Sequence, residues 1–133
     1  YLEKLNKDNL YINMRQESNL LILGSISDDL LRLKETQLLP TKETEELLNY
    51  LIKIISKPNK ENSILIGRAV WCISKLLCLV RNDIEFLSKI FDAVSETMIN
   101  KNSDLSIQLV SAQCISIICQ RLITQKKEIT IKL

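Results

Sequence analysis

The chain has 133 residues, enough for one domain with a real core and too few for two independent ones. Its apolar fraction of 46% is almost all Leu and Ile, with 5% aromatic, and two Gly and two Pro leave few sites for tight turns; an all-β sandwich is disfavoured and a helical protein is predicted. The net charge of +2 comes from scattered Lys and Arg, with neither a basic stripe nor an acidic tail, so direct nucleic-acid binding is not expected.

No charged leader with an apolar run behind it opens the chain, and no signal peptide is predicted. Tyr1–Leu10 reads as the remnant of an outer helix, and Ile12–Leu33 as a helix apolar around much of its girth, followed by the connection "KETQLLPTK". Lys42–Lys57 sets Leu47, Leu48, Leu51, Ile54 and Ile55 on one arc of a helical wheel and Glu45, Glu46, Asn49, Lys53 and Ser56 on the other. That helix ends at "KPNKEN", where Pro58 blocks continuation.

Ser63 is the expected cap of the next helix, which runs to about Val80. It holds the longest apolar stretch, Ile64–Val80, but Arg68 and Lys75 interrupt it, so membrane insertion is not expected. "RND" breaks the pattern, and Asp83 caps a third helix to about Asn100. This helix carries Ile84, Leu87, Ile90, Phe91, Val94 and Met98 on one side and Glu85, Lys89, Asp92 and Glu96 on the other. After the polar turn "NKNS", Asp104 begins a fourth helix through about Leu122, apolar around most of its circumference. "EITIKL", Glu128–Leu133, alternates like a strand but fits better as the start of a further outer helix.

One-faced and broadly apolar helices thus alternate, joined by turns short enough to make neighbours antiparallel. A one-faced helix belongs to an outer layer; a helix apolar over most of its girth is flanked on several sides. The expected fold is all-α, with antiparallel helical hairpins stacked as a HEAT/ARM-type α-solenoid. Arg68 and Gln108 hold similar places early in their helices and stand 40 residues apart, inside the HEAT and armadillo range of about 40 to 47, whereas Gln16 to Arg68 is a step of 52, so the earlier repeat is expected to carry a longer connection. An ordinary helical bundle shares the patterning but gives no reason for that step. Three repeats are expected, at about 1–34, 42–82 and 83–122, and both ends stop in mid-pattern without a polar cap, as in a piece of a longer array.

Cys72, Cys78, Cys114 and Cys119 form no C-x-x-C pair, and on a helix the first two lie about 240° apart and the last two about 140°. With no histidine in the chain, free buried thiols are expected and neither a metal site nor a cofactor is. No nucleophile has a candidate base, and the only glycines, Gly24 and Gly67, make no phosphate loop, so no catalytic residues are assigned and the chain is not read as an enzyme. Asp28 and Asp29 read as a solvated pair at a helix end.

Two stretches carry a family resemblance. "QESNLLILGSISD", Gln16–Asp28, resembles the inner-helix signature of HEAT repeats in the importin-β (karyopherin-β) superfamily, Trp-Arg-x-Arg-Glu-Ala-x-Leu-Leu-x-Leu-Gly-Ser, with Glu17, Leu20, Leu21, Leu23, Gly24 and Ser25 at matching positions. "LIGRAVWCISKLLCL", Leu65–Leu79, is similar to the following inner helix of the importin nine branch, Leu-Gly-Arg-Ala-x-Trp-x-x-Ser-Arg; Gly67, Arg68, Ala69, Trp71 and Ser74 match and Lys75 replaces Arg. The likeness extends more weakly to Leu122. Asn13 stands where the family usually has Trp, and Gln16 and Gln108 where it commonly has Arg.

The resemblance implies a nuclear transport receptor that shuttles between cytoplasm and nucleus, wraps protein cargo on its concave inner-helix surface, responds to Ran GTPase and touches Phe-Gly nucleoporins. Histones and other basic proteins are the cargo associated with the importin nine branch. The alternative is a HEAT scaffold or adaptor of another complex, of phosphatase or vesicle-coat type. The wheel places Arg68, Trp71 and Lys75 in one sector with Gly67, Ser74, Cys78 and Asn82, as candidate partner-binding residues on the concave wall. The competing expectation packs Trp71 on a neighbouring inner helix, with Gly67 giving it room and Arg68 reaching an acid between repeats.

Overall fold

The computed structural model describes residues 2–35, 41–59, 61–80 and 83–132, with side chains within 12–33, 42–59, 61–80 and 83–124. The fold is all-α: α1 (Leu2–Ser25), α2 (Ser27–Glu35), α3 (Thr41–Ile55), α4 (Ser63–Leu76) with a 3-10 turn at Leu77–Val80, α5 (Ile84–Ile99) and α6 (Leu105–Lys132). No strand occurs among the described residues.

Short connections make α3 and α4 one antiparallel hairpin and α5 and α6 another. Lys89 Nζ donates to Asn49 Oδ1 at 2.7 Å and Thr97 Oγ1 to the Ile55 carbonyl at 3.0 Å, pairs separated by 40 and 42 residues. Contacts that rise together along both chains mean that α3 and α5 are parallel, and α4 and α6 are therefore parallel too. α1 lies against α4 with Glu17 at Arg68 and Gly24 at Trp71, again in parallel register. Helices α1, α4 and α6 thus lie side by side in one layer, α4 in the middle, with α3 and α5 backing it in a second.

The core sits between the layers. α3 contributes Leu48, Leu51 and Ile55, α5 contributes Leu87, Ile90 and Val94, and α6 contributes Ile107, Cys114 and Ile118, all fully buried. From α4, Leu65, Ile66, Ala69, Val70, Cys72, Ile73 and Leu76 are buried, which accounts for a sequence apolar enough, over Ser63–Val80, to cross a membrane. Leu105–Thr124 passes the same length and composition test with far less of its surface covered.

The caps are local. Asp83 Oδ1 accepts from the Phe86 amide at 2.9 Å, and Asp104 Oδ1 accepts from the Ile107 amide at 3.0 Å. Hydrogen bonds from the Ser106 hydroxyl and the Ile107 amide hold the Asp104 carboxyl below its ordinary value, and the Ser63 hydroxyl adds to them.

Several boundaries differ from expectation. The stretch expected to be the remnant of an outer helix, Tyr1–Leu10, is not separate over its described residues, because α1 continues unbroken from Leu2 to Ser25. The break falls at Ile26 instead, between α1 and α2, while Ile26 N still bonds Ile22 O at 3.2 Å and Leu30 N bonds Ile26 O at 3.1 Å. No new helix starts at Glu128; α6 carries through Lys132 rather than stopping at Leu122, and Leu133 lies outside the described residues. Ser63 is the first residue of α4 and not its cap, a position held by Asn62. The centre of the connection after α2, 36–40, and the "RN" before Asp83 lie outside the described residues.

Candidate partner-binding surface

The turn before α4 is built by two asparagines. Asn59 N donates to Asn62 Oδ1 and Asn62 N to Asn59 Oδ1, each at 2.9 Å, so the Asn62 side chain is spent on the turn and gives α4 no capping bond. Once α4 and its 3-10 turn have buried their core-facing residues, Ile64, Gly67, Arg68, Trp71, Ser74, Lys75 and Cys78 remain in a stripe at helical spacing, with Trp71 and Cys78 packed against the edge of the core.

Arg68, Trp71 and Lys75 are brought together in that stripe. The Arg68 guanidinium carbon lies 5.2 Å and the Lys75 ammonium 5.9 Å from the Trp71 ring centroid, both within cation–π range. Arg68 Nε also donates to Glu17 Oε1 at 2.8 Å, an ion pair across the α1–α4 seam with side chains 32% and 22% exposed. Ser74 Oγ donates to the Trp71 carbonyl at 2.6 Å. Asn82, placed in the same sector by the wheel, falls outside the described residues.

Trp71 is half-buried at the seam, and the residue that makes room for it is Gly24 of α1: a β-carbon there would overlap the indole. The room was expected from Gly67, but a β-carbon at Gly67 would meet nothing within 4 Å. A helical wheel reads one helix at a time, and Trp71 leans across to its neighbour. Glu17 and Gly24 belong to the "QESNLLILGS" string, yet nothing within that string says which helix they face.

On the other layer, clefts mark both ends of the α3–α5 seam. One is lined by Glu45, Asp83, Glu85, Phe86 and Lys89, the other by Ile52, Ile55, Pro58, Ala93, Glu96 and Thr97 among others. Tyr50 is exposed, and Phe86 and Phe91 are half-buried. None of the four cysteines is in a disulfide, and Cys72 and Cys114 are fully buried; burial pushes both thiols from 9.0 up to about 12. Asp28 and Asp29 are exposed in the first turn of α2, with Asp29 3.7 Å from Arg32. No group of three or more metal-ligating side chains occurs among the described residues.

No protein-family model, no curated protein sequence and no solved structure matches the chain.

Proposed function

We propose that this chain is a HEAT-type α-solenoid segment of a nuclear transport receptor of importin-β type, which acts by binding protein partners along the α1–α4–α6 layer. The observation that carries the solenoid reading is the parallel alignment within each layer, at a step of 40 to 42 residues between α3 and α5, Asn49 to Lys89 and Ile55 to Thr97, and of 47 to 51 between α1 and α4, Gly24 to Trp71 and Glu17 to Arg68. An up-and-down bundle of antiparallel neighbours has no reason to repeat at that step. The transport reading is supported by the two ordered signatures, Gln16–Asp28 and Leu65–Leu79, which fall largely on α1 and on α4 with its 3-10 turn, packed side by side.

Contact with Phe-Gly repeats belongs, in this reading, to the α3–α5 seam. An NMR titration with an FxFG peptide that leaves Tyr50, Phe86 and Phe91 unmoved removes that element. The decisive experiment captures cargo on the full-length parent chain and adds Ran loaded with GTP. Release of cargo by the GTP form and not the GDP form is expected; indifference to both leaves the scaffold reading of phosphatase or vesicle-coat type.

A further inference from the structure

The two layers differ in charge. Between residues 42–55 and 83–99, which make α3, α5 and its cap, seven carboxylates stand against three lysines. Residues 63–80 and 105–124, in α4, its 3-10 turn and α6, carry Arg68, Lys75 and Arg121 and no carboxylate at all. On the neighbouring stretch of α1, Glu17 already has its carboxylate on Arg68. Lys75 is exposed over the Trp71 ring and forms no ion pair with a carboxylate among the described residues.

Gly67 is an independent pointer to the same place. A glycine inside a helix is unfavourable relative to alanine, but the missing side chain leaves space for a close approach. Trp71 uses that space at Gly24, whereas none of the described residues uses it at Gly67. Gly67 lies one helical turn before Trp71 on the solvent stripe, so bare backbone is offered there to an approaching main chain.

We infer that the stripe Gly67–Arg68–Trp71–Lys75 receives an acidic polypeptide segment, its backbone seated over Gly67 and its carboxylates on Lys75 and the open edge of Arg68. The inference rests on the protein-binding reading above and gives the partner a charge opposite to that of the basic cargo the resemblance implies. Nucleic acid fits less well, because duplex binding draws on about 6 to 10 phosphate contacts and the stripe itself offers two cations, one of them already paired with Glu17.

Trp71 is the only tryptophan, so its emission reports on this site alone. The full chain is titrated at low salt with an octaglutamate peptide, an octalysine peptide and an eight-nucleotide single-stranded DNA. Octaglutamate alone is expected to change the emission saturably, with affinity falling as salt rises. Lys75→Glu is expected to weaken binding on the order of tenfold. Gly67→Ala is expected to raise the thermal midpoint of the free chain and still weaken binding about fivefold, the loss a buried contact of methyl size brings. Silence to all three probes, a stronger response to octalysine, equal binding of the oligonucleotide, or a Gly67→Ala chain that binds as tightly as before overturns the inference. Octaglutamate binding beside indifference of the parent to Ran-GTP removes only the transport reading; the converse removes only the acidic-segment inference.

Discussion

The indole of Trp71 lies across Gly24 of the neighbouring parallel helix, so closely that no β-carbon fits beneath it. The two glycines of the chain therefore have opposite roles, and exchanging each for alanine separates them. Gly24→Ala forces the ring or α1 to move and is expected to cost about 1 to 3 kcal/mol. Gly67→Ala meets open space and is expected to stabilise by about 0.5 to 1 kcal/mol through the better helix propensity of alanine. Urea unfolding of both variants reads the difference directly; two effects of the same sign would contradict the packing described.

The Glu17–Arg68 pair joins α1 to α4 and is partly shielded from water. A double-mutant cycle with Glu17→Gln and Arg68→Gln is expected to give a coupling of about 0.5 to 1.5 kcal/mol, above that of a fully exposed pair, and to shrink in 1 M salt. A coupling near zero at low salt would show the two side chains acting independently.

Thr97 ties the ends of α3 and α5 together. Its buried hydroxyl is within reach of the Ile55 carbonyl at 3.0 Å and the Ala93 carbonyl at 2.9 Å, while its own carbonyl accepts from Ser103 Oγ at 2.6 Å. Thr97→Val keeps the shape and removes the donor, leaving the Ile55 carbonyl short of a partner; a loss of about 1 to 2 kcal/mol is expected in thermal or urea unfolding. Ser111, by contrast, is buried with its hydroxyl unpartnered, so Ser111→Ala is expected to be neutral or stabilising.

Cys72 and Cys114 are held as neutral thiols by burial, up to about 12 against 9.0. Because the folded value lies above the unfolded one, their contribution to stability is fully present below pH 9 and is lost as pH rises from there toward 12. At pH 8, iodoacetamide is expected to spare both in the folded chain and to reach the partly exposed Cys78 and Cys119 first, with peptide mass spectrometry as the readout. Equal labelling of all four would mean that α4 and α6 open far more readily than their packing implies.

The outer-layer helices were the most legible elements in the sequence. α3 and α5 each bury one stripe, and Pro58, Asp83 and Asp104 mark ends through chemistry that is local to a few residues. What failed was set by neighbours or by continuity. The alternation at Glu128–Leu133 suggested a fresh element, but no Gly or Pro separates it from α6, and extending a helix is easier than nucleating one. Ser63 lost the capping position because Asn59 and Asn62 bond each other, a pairing that a scan for single capping residues does not consider. At the candidate surface, the grouping of Arg68, Trp71 and Lys75 was legible because all three lie on one helix; their partners Glu17 and Gly24 lie 51 and 47 residues from Arg68 and Trp71 respectively, and only packing assigns them.

The seam between α1 and α4 has a built-in reporter. Leu20 and Gly24 of α1 are buried there, Leu23 packs against the core, and the Trp71 indole and the Glu17–Arg68 pair close the joint. A partner that reshapes the layer by sliding α1 past α4 must carry the Trp71 ring off Gly24, and the emission of the single tryptophan will follow that movement. The chain thus carries its own strain gauge.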